Sequence, residues 1–310
     1  MHEEAVRIQS GDIELSGTLC LPGKAGRFPA VLMVHGSGAL DRNENTRGQS
    51  LNTFNAIAHA LADAGVASFR YDKRGCGSSS GSFIHAGHRD LVQDATECLH
   101  ALAGFSNVSA DELYILGHSE GCIIAPQVVR QRPFVAGLIL LCPFLEDMAS
   151  ILKRQAAQLE RELASLRGIA GLFYKLLFAV TGSPSASQRR LIQKVQQTQD
   201  PVVRSGLARF PAKWLRELLV LDAKAVFSGT TTPMILVGAE KDLQCNPGDI
   251  NKIAAITQGP SVTLLVKNMT HILRLDQSPA SILGSARLIG QPVAREVTDS
   301  IIQWVQAQSG

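Results

Sequence analysis

Short apolar runs of strand length alternate with amphipathic helical patterns through the first half of this chain. Two of the runs, at residues 30–34 and 138–141, are apolar at consecutive positions, which is typical of strands buried on both faces. Such an alternation is characteristic of a mostly parallel sheet with helices on both faces. The sequence therefore predicts an α/β fold with these two runs near the centre of the sheet.

Eight segments have the length and composition of strands, and four have the apolar spacing of three and four residues that marks a helix packed on a sheet. The strands are predicted at residues 5–9, 13–20, 30–35, 66–71, 112–117, 135–142, 234–238 and 262–266. The helices are predicted at residues 51–64, 88–103, 121–130 and 292–306.

Strand signals stop between residues 146 and 227, where helix formers dominate. Apolar residues from Leu152 to Leu177 step by alternate fours and threes, which predicts an amphipathic helix. This spacing also suits a coiled-coil surface, but Gly168 and Gly171 interrupt it, which favours a helix folded over its own domain. We therefore expect a helical insertion at 146–227 that divides a core made of residues 1–145 and 228–310.

Composition and net charge indicate an ordinary globular protein. Hydrophobic residues make up 45% of the chain and charged residues 18%, and the net charge is only +3. Basic residues are scattered among acids, so neither nucleic acid nor an anionic membrane is an expected partner, and a homodimer is left open. The first residues lack the order of a secretory signal, no apolar run reaches a membrane-spanning length, and six dispersed cysteines form no C-x-x-C pair. We expect a soluble, cytoplasmic protein with reduced thiols.

The motif with most chemical content is Gly117-His118-Ser119-Glu120-Gly121, which lies between a predicted strand and a predicted helix. Gly-x-Ser-x-Gly in this setting indicates a nucleophile elbow, a tight turn that lifts the serine hydroxyl clear of the sheet. The glycines are needed because side chains there would collide with backbone as the chain reverses. Ser119 is therefore the predicted nucleophile.

A tetrahedral intermediate needs N–H donors for its oxyanion. The elbow supplies the backbone N–H of Glu120, directly after the nucleophile. The strand at 30–35 opens into Gly36-Ser37-Gly38, where missing side chains let amides face a cavity. The N–H of Ser37 is the preferred second donor.

A serine nucleophile also needs a base and a carboxylate that orients it. Of the eight histidines, His271 alone stands in a polar loop after the last predicted strand, where it can reach the carboxyl edge of the sheet. The acid is expected on the loop after the strand at 234–238, with Asp242 as first choice and Glu240 as the alternative.

Three other groupings are given structural interpretations. His85 and His88 lack further ligands for a metal and are expected to face solvent, so no metal site is predicted. The glycine-rich stretch at 70–78 lacks the spacing of a phosphate loop or a dinucleotide site, so no cofactor is predicted, and Asp72 and Arg74 are expected to brace its turn. Asp41 and Arg42 are expected to form an ion pair.

Five features together resemble bacterial α/β-hydrolase carboxylesterases of the dienelactone-hydrolase and serine-aminopeptidase-like superfamily. They are HGSG followed by Asp-Arg (35–42), RYDKRGCGSS (70–79), GHSEG (117–121), GAEKD (238–242) and the late His271. The resemblance covers residues from about 10 to 305. It implies the α/β-hydrolase fold, a twisted, mostly parallel sheet of eight strands with a helical cap inserted after the sixth strand. It also implies a catalytic triad of Ser119, Asp242 and His271 and an oxyanion hole made by the amides of Ser37 and Glu120.

These residues predict a serine hydrolase that cleaves small-molecule carboxylic esters through an acyl-enzyme. Thioesters and peptides react through the same tetrahedral oxyanion, so an acyl-thioesterase and an aminopeptidase stay open. Glu120 is the residue that could hold the amine of a peptide substrate. A catalytically silent protein that only binds a ligand in this fold is the alternative from another class.

Overall fold

The computed structural model describes residues 1–131, 134–168, 182–206 and 208–308, together with residues 174 and 178. Eight strands form one sheet in the order β1-β2-β4-β3-β5-β6-β9-β10, and β7 pairs with β8 in a separate hairpin. Pairing is antiparallel from β1 through β2 to β4 and parallel across the rest of the sheet. The strands are β1 (His2–Ser10), β2 (Ile13–Leu21), β3 (Phe28–Val34), β4 (Ala67–Tyr71), β5 (Val108–His118), β6 (Gly137–Leu141), β7 (Val202–Ser205), β8 (Ala208–Pro211), β9 (Met234–Ala239) and β10 (Ser261–Val266).

Helices cover both faces of the sheet. Within the described residues they are α1 (Thr53–Asp63), α2 (His88–Ala103), α3 (Gly121–Gln131), α4 (Met148–Ser165), α5 (Pro184–Gln196), α6 (Ala212–Leu219), α7 (Ala223–Ser228), α8 (Asp249–Ile256) and α9 (Arg295–Gln308). Buried residues of α1 and α9 form one core, and those of α2, α3 and α8 form the other. None of these helices is both long and apolar enough to cross a bilayer.

The central strands explain why the two cores form. Successive side chains of a strand point to opposite faces. Leu32 of β3 accordingly packs in the core under α2 and α3, whereas its neighbours Val31 and Met33 pack against α1, and all three are fully buried. The predicted α/β fold, with these runs at the centre of the sheet, is confirmed.

The eight predicted strands are all present, with small differences at their ends. The largest is at β5, which begins at Val108 rather than at residue 112. Its first half has no run of apolar residues, but Val108 pairs with Phe28 of β3 beyond a shift in register. Backbone pairing with β3 and burial of the Val108 side chain in the core both belong to this extension of the strand.

The segment between β6 and β9 contains helices α4 to α7 and, between α5 and α6, the hairpin of β7 and β8. The expectation that the insertion at 146–227 consists of helices is therefore wrong at 202–205 and 208–211. Each of these strands has only four residues, too few to show a period, and their flanking prolines suggested helix ends instead. Of the predicted helix at 152–177, α4 covers the part up to Ser165; Ala170, Gly171, Phe173 and Leu177 lie outside the described residues.

Candidate active site

Ser119 occupies a tight turn between the end of β5 and the start of α3. Its backbone has a φ of 52°, in the left-handed region that costs free energy for any residue with a side chain. A Cβ atom at Gly117 would lie 2.3 Å from the carbonyl oxygen of Gly121, and one at Gly121 would lie 2.1 Å from that of Val34. The two glycines are therefore required for the chain to reverse beneath the serine.

His271 and Asp242 meet at the carboxyl edge of the sheet, in the loops after β10 and β9. The Nδ1 atom of His271 lies 2.7 Å from Oδ2 of Asp242, and both residues are buried. The other carboxylate oxygen accepts the backbone N–H groups of Gln244 and Cys245. Burial raises the pKa of Asp242, but His271 and these N–H groups outweigh it, so the pKa is lowered and the carboxylate stays charged.

Glu240, the alternative acid, does not contact the imidazole of His271 in this arrangement. Its Oε2 atom accepts the backbone N–H of Asn268 at 2.7 Å. Glu240 therefore holds the loop that carries the histidine, whereas Asp242 contacts the histidine ring itself.

Ser119 and His271 line one cavity of about 340 Å³, which we call the Ser119 cavity. Its walls are mostly apolar, and α4 and α6 of the segment between β6 and β9 supply a large part of them. The larger apolar lining residues are Leu40, Leu51, Phe144, Met148, Ile151, Leu152, Trp214 and Ile272. Glu44 is the one acidic or basic side chain among the described lining residues apart from the histidines.

The two predicted oxyanion donors lie near the nucleophile, Glu120 directly after it in the chain and Ser37 in the loop after β3. Ser37 lines the cavity, and a Cβ atom on the preceding residue, Gly36, would lie 3.3 Å from Cβ of Ser119. Within the part of the chain that the structure describes, the backbone N–H groups of Ser37 and Glu120 donate to no protein acceptor. Both groups can therefore donate to a substrate oxygen.

A buried ion pair that sequence reasoning missed lies beside these residues. His118 places Nδ1 2.9 Å from the carboxylate of Glu44 and Nε2 2.9 Å from the backbone carbonyl oxygen of His271. Both partners are acceptors, so both ring nitrogens must carry protons and the ring is an imidazolium. Burial lowers the pKa of His118, but the charge of Glu44 and these hydrogen bonds raise it overall, and the pKa of Glu44 falls to about 2.

Glu44 also accepts the backbone N–H of Gly36 at 3.0 Å. The pair therefore connects the loop of the proposed oxyanion hole to the loop that carries His271. Nothing in the sequence near Glu44 indicates this role, because its partner lies 74 positions away.

Two structural interpretations made from the sequence need correction at the ends of β3 and β4. Arg42 does not pair with Asp41: its guanidinium contacts Asp72 at 2.6 Å, and Asp41 accepts backbone N–H groups from Asn43 and Asn45. Asp72 braces the turn of the glycine-rich stretch as expected, because its carboxylate accepts the backbone N–H of Ser78 at 2.8 Å. A long guanidinium reaches across to the neighbouring strand end more easily than it folds back onto the adjacent residue.

Arg74 does not share in that pair either, because its guanidinium contacts Asp94 on α2 at 2.6 Å. The expected exposure of His88 is also wrong. His88 is the first residue of α2, is buried, and places Nδ1 3.2 Å from Oε1 of Glu120. The polar residues before α2 gave no sign of this contact, because Glu120 lies 32 positions away, in the turn that leads into α3.

In the described part of the chain, two overlapping groups of side chains have metal-ligand atoms within 4.8 Å of one another: His118, Cys142 and His271, and Asp242, Cys245 and His271. Burial raises the pKa of both cysteines well above the usual range for a thiol. The same imidazole and carboxylate are already joined by their hydrogen bond.

The sheet order, with a Gly-x-Ser-x-Gly elbow after its fifth strand and the His271–Asp242 pair at the same edge, defines the α/β-hydrolase fold. Comparison with known families narrows this further. Residues 44–277 match the family model described as serine aminopeptidase, S33, and the chain belongs to this hydrolase family.

Individual relatives are more distant. Esterase EstD of Thermotoga maritima is 26% identical over 235 residues, which are 76% of this chain and 52% of that protein, so the chain spans about half the length of this relative. The structure of Est1E from Butyrivibrio proteoclasticus with bound ferulic acid superimposes with a TM-score of 0.65 at 16% identity, over 98% of this chain and 99% of that one. A proline iminopeptidase from Mycobacterium smegmatis gives 0.61 at 15% identity, over 98% of both chains. Both structures share the fold.

Proposed function

We propose that this protein hydrolyses carboxylic esters with small to medium acyl groups through an acyl-enzyme on Ser119. The observation that carries the proposal is the 2.7 Å contact between His271 and Asp242 at the wall of the cavity that Ser119 also lines. A carboxylate-oriented imidazole that shares a cavity with a serine hydroxyl is the arrangement that activates the serine as a nucleophile once the two side chains meet.

In the proposed reaction, the Oγ atom of Ser119 attacks the ester carbonyl carbon while Nε2 of His271 takes its proton. The carbonyl electron pair moves onto oxygen, where the N–H groups of Ser37 and Glu120 stabilise the negative charge. The intermediate collapses, and His271 protonates the departing alcohol. Water then attacks the acyl-enzyme with His271 again as base, which releases the acid and restores Ser119.

The substrate class follows from the walls of the cavity. A volume of about 340 Å³ with apolar side chains suits an uncharged acyl or alcohol group of modest size. We propose that residues 146–227 act as a cap, because Met148, Ile151 and Trp214 belong to this segment and line the cavity. The ester-cleaving activity in the name of the Thermotoga relative supports the same reaction class.

Peptide cleavage is less well supported because a peptide's N-terminal amine needs a free carboxylate. Glu120, the expected candidate, is 1% exposed and contacts Trp214 and His88. Glu44 is already paired with His118.

The cysteines among the described residues are free thiols, which suits a reducing compartment, and we propose the cytoplasm as the site of action.

The experiment is a substrate panel on the purified protein, together with labelling by a fluorophosphonate probe. We expect labelling of the wild type and no labelling of Ser119→Ala, with p-nitrophenyl esters of short and medium chain as the best substrates. If acyl-thioesters or aminoacyl-anilides are cleaved faster than every ester, the proposed substrate class is wrong and the faster class takes its place. If the wild-type protein is neither labelled nor active, the proposed enzymatic function fails, and a protein that only binds a ligand in this fold takes its place.

A further inference from the structure

Lys73 is a fully buried lysine that the reaction described above does not use. It follows β4 and is 2% exposed. Its Nζ atom lies 2.5 Å from the backbone carbonyl oxygen of Gly36, 3.8 Å from Oε2 of Glu120 and 5.6 Å from the centre of the Phe83 ring. A buried ammonium needs such compensation, because removing it from water is costly.

The two polar contacts of Lys73 are with the two halves of the proposed oxyanion hole. The carbonyl of Gly36 and the N–H of Ser37 belong to the same peptide group. Glu120 carries the other N–H donor on its own backbone. One ammonium group therefore contacts both segments whose amides would hold the oxyanion.

The contact with Gly36 has a direct geometric consequence. In a trans peptide the carbonyl and the N–H point in opposite directions, and the chain has no cis peptide bond in its described part. An ammonium that fixes the carbonyl oxygen of Gly36 therefore aims the N–H of Ser37 the other way. Its charge also polarises the peptide and strengthens the N–H as a donor, since hydrogen bonds in series reinforce one another.

Glu120 balances the charge and fixes the second segment. Its Oε1 atom accepts from Nε1 of Trp214 at 2.7 Å and from His88 at 3.2 Å, while Oε2 has no hydrogen-bond partner among the described residues and faces Lys73. Burial raises the pKa of Glu120, but Lys73 and these donors outweigh it and hold the pKa at about 2. Glu120 is therefore a carboxylate that ties the elbow to Lys73 and, through Trp214, to α6.

We propose that Lys73 is a positioning residue for the oxyanion hole: it orients and polarises the Gly36–Ser37 peptide and, through Glu120, holds the elbow amide in register with it. The inference rests on the proposed function, because it needs a negatively charged tetrahedral intermediate. Lys73 does not touch substrate, so it acts only through the two amides.

The test uses two variants that differ in the charge they leave buried. Lys73→Met removes the ammonium but leaves Glu120 without its cation, which endangers folding. Lys73→Met combined with Glu120→Gln removes both charges and keeps an amide oxygen that can accept from Trp214. Lys194→Met is the matched control, since Nζ of Lys194 also donates to a backbone carbonyl, that of Arg204, outside the lining of the Ser119 cavity.

The measurements are kcat and KM with the best ester from the panel and the Ki of a trifluoromethyl ketone, which forms a tetrahedral oxyanion on the serine. Loss of a whole oxyanion donor costs about 10²–10³ in kcat. We expect the folded double variant to lose about 10-fold or more in kcat, with KM little changed and Ki raised by a similar factor. Lys194→Met should match the wild type.

Two results would overturn the inference. One is a folded double variant with wild-type kcat and Ki. The other is a parallel rise in KM and Ki, which would mean that Lys73 maintains the shape of the cavity without acting on the oxyanion. Failure of the proposed function is distinguishable, because the wild-type protein itself would then lack esterase activity and probe labelling.

Discussion

His118 donates a hydrogen bond from Nε2 to the backbone carbonyl of His271, its neighbour at the active-site edge, over 2.9 Å. The imidazole rings of the two residues are 5.1 Å apart, and the other nitrogen of His118 faces Glu44. A buried, charged imidazolium thus fixes the backbone of the proposed general base. The loop of His271 is held by an ion pair whose two members titrate in different pH ranges.

The first prediction concerns this pair and stability. The pKa of Glu44 is lowered from 4.5 to about 2, so its contribution is complete above about pH 4.5 and is lost as pH falls toward 2. The pKa of His118 is raised from 6.5, so its contribution is complete below about pH 6.5 and is lost as pH rises through the raised value. The difference in unfolding free energy between the wild type and Glu44→Gln should therefore be largest between about pH 4.5 and 6.5.

Urea unfolding across pH measures this difference directly. A difference that is constant from pH 3 to pH 9 would show that the pair does not carry the charges inferred from its geometry. Glu4→Gln, at an exposed position on β1, is the control and should show little dependence of its own.

The second prediction separates the two candidate acids. Asp242→Asn should lower kcat by about 10⁴, because an amide in place of the carboxylate no longer selects the tautomer of His271 that can accept a proton from Ser119. Glu240→Gln is the matched control, and its amide oxygen can still accept from the N–H of Asn268. Equal losses in the two variants, measured as kcat on one ester, would contradict the assignment.

The third prediction concerns strain at the nucleophile. Ser119 has a φ of 52°, which a glycine adopts without the penalty that a Cβ atom brings. Ser119→Gly should abolish ester hydrolysis while raising the free energy of unfolding by about 1 kcal/mol relative to Ser119→Ala, which keeps the strain. Thermal and chemical unfolding of the two inactive variants measure this, and an alanine variant as stable as the glycine variant would argue against a strained turn.

Much of the site could be anticipated from the sequence because its chemistry is attached to strand ends. Ser119 is marked by flanking glycines that steric contact makes necessary, and Asp242 and His271 follow the last two predicted strands of the sheet. Patterns of this kind are local, so they can be recognised in the sequence without knowing which elements become neighbours in the fold. The eight strands are recognisable for the same reason, as short apolar runs with their own boundaries.

The supporting contacts could not be anticipated because they join residues that are distant in sequence. Glu44 and His118 are 74 positions apart, and Trp214 and Glu120 are 94 apart. Glu44, His118 and Glu120 are residue types that, taken alone, are typical of a solvated surface. They are buried and paired only in the folded protein, where the sheet and the segment between β6 and β9 pack together.

The fourth prediction concerns the acyl pocket and uses two buried residues of α4. Ile151 lines the Ser119 cavity, whereas Leu163 is buried on the same helix outside the lining. Ile151→Ala removes three carbon atoms from the wall and should move the preferred acyl chain to greater length. One added methylene in a fitted pocket is worth about 10-fold or more in kcat/KM, so the change should be visible for esters one or two carbons longer.

Leu163→Ala is the control because both truncations leave a space in a packed helix and should lower stability, by about 2–5 kcal/mol for a fully enclosed site. Its chain-length profile should match that of the wild type. The measurement is kcat/KM for p-nitrophenyl esters of increasing chain length. If both variants shift the profile equally, the change reflects a general loosening of α4, and the wall at Ile151 does not set acyl length.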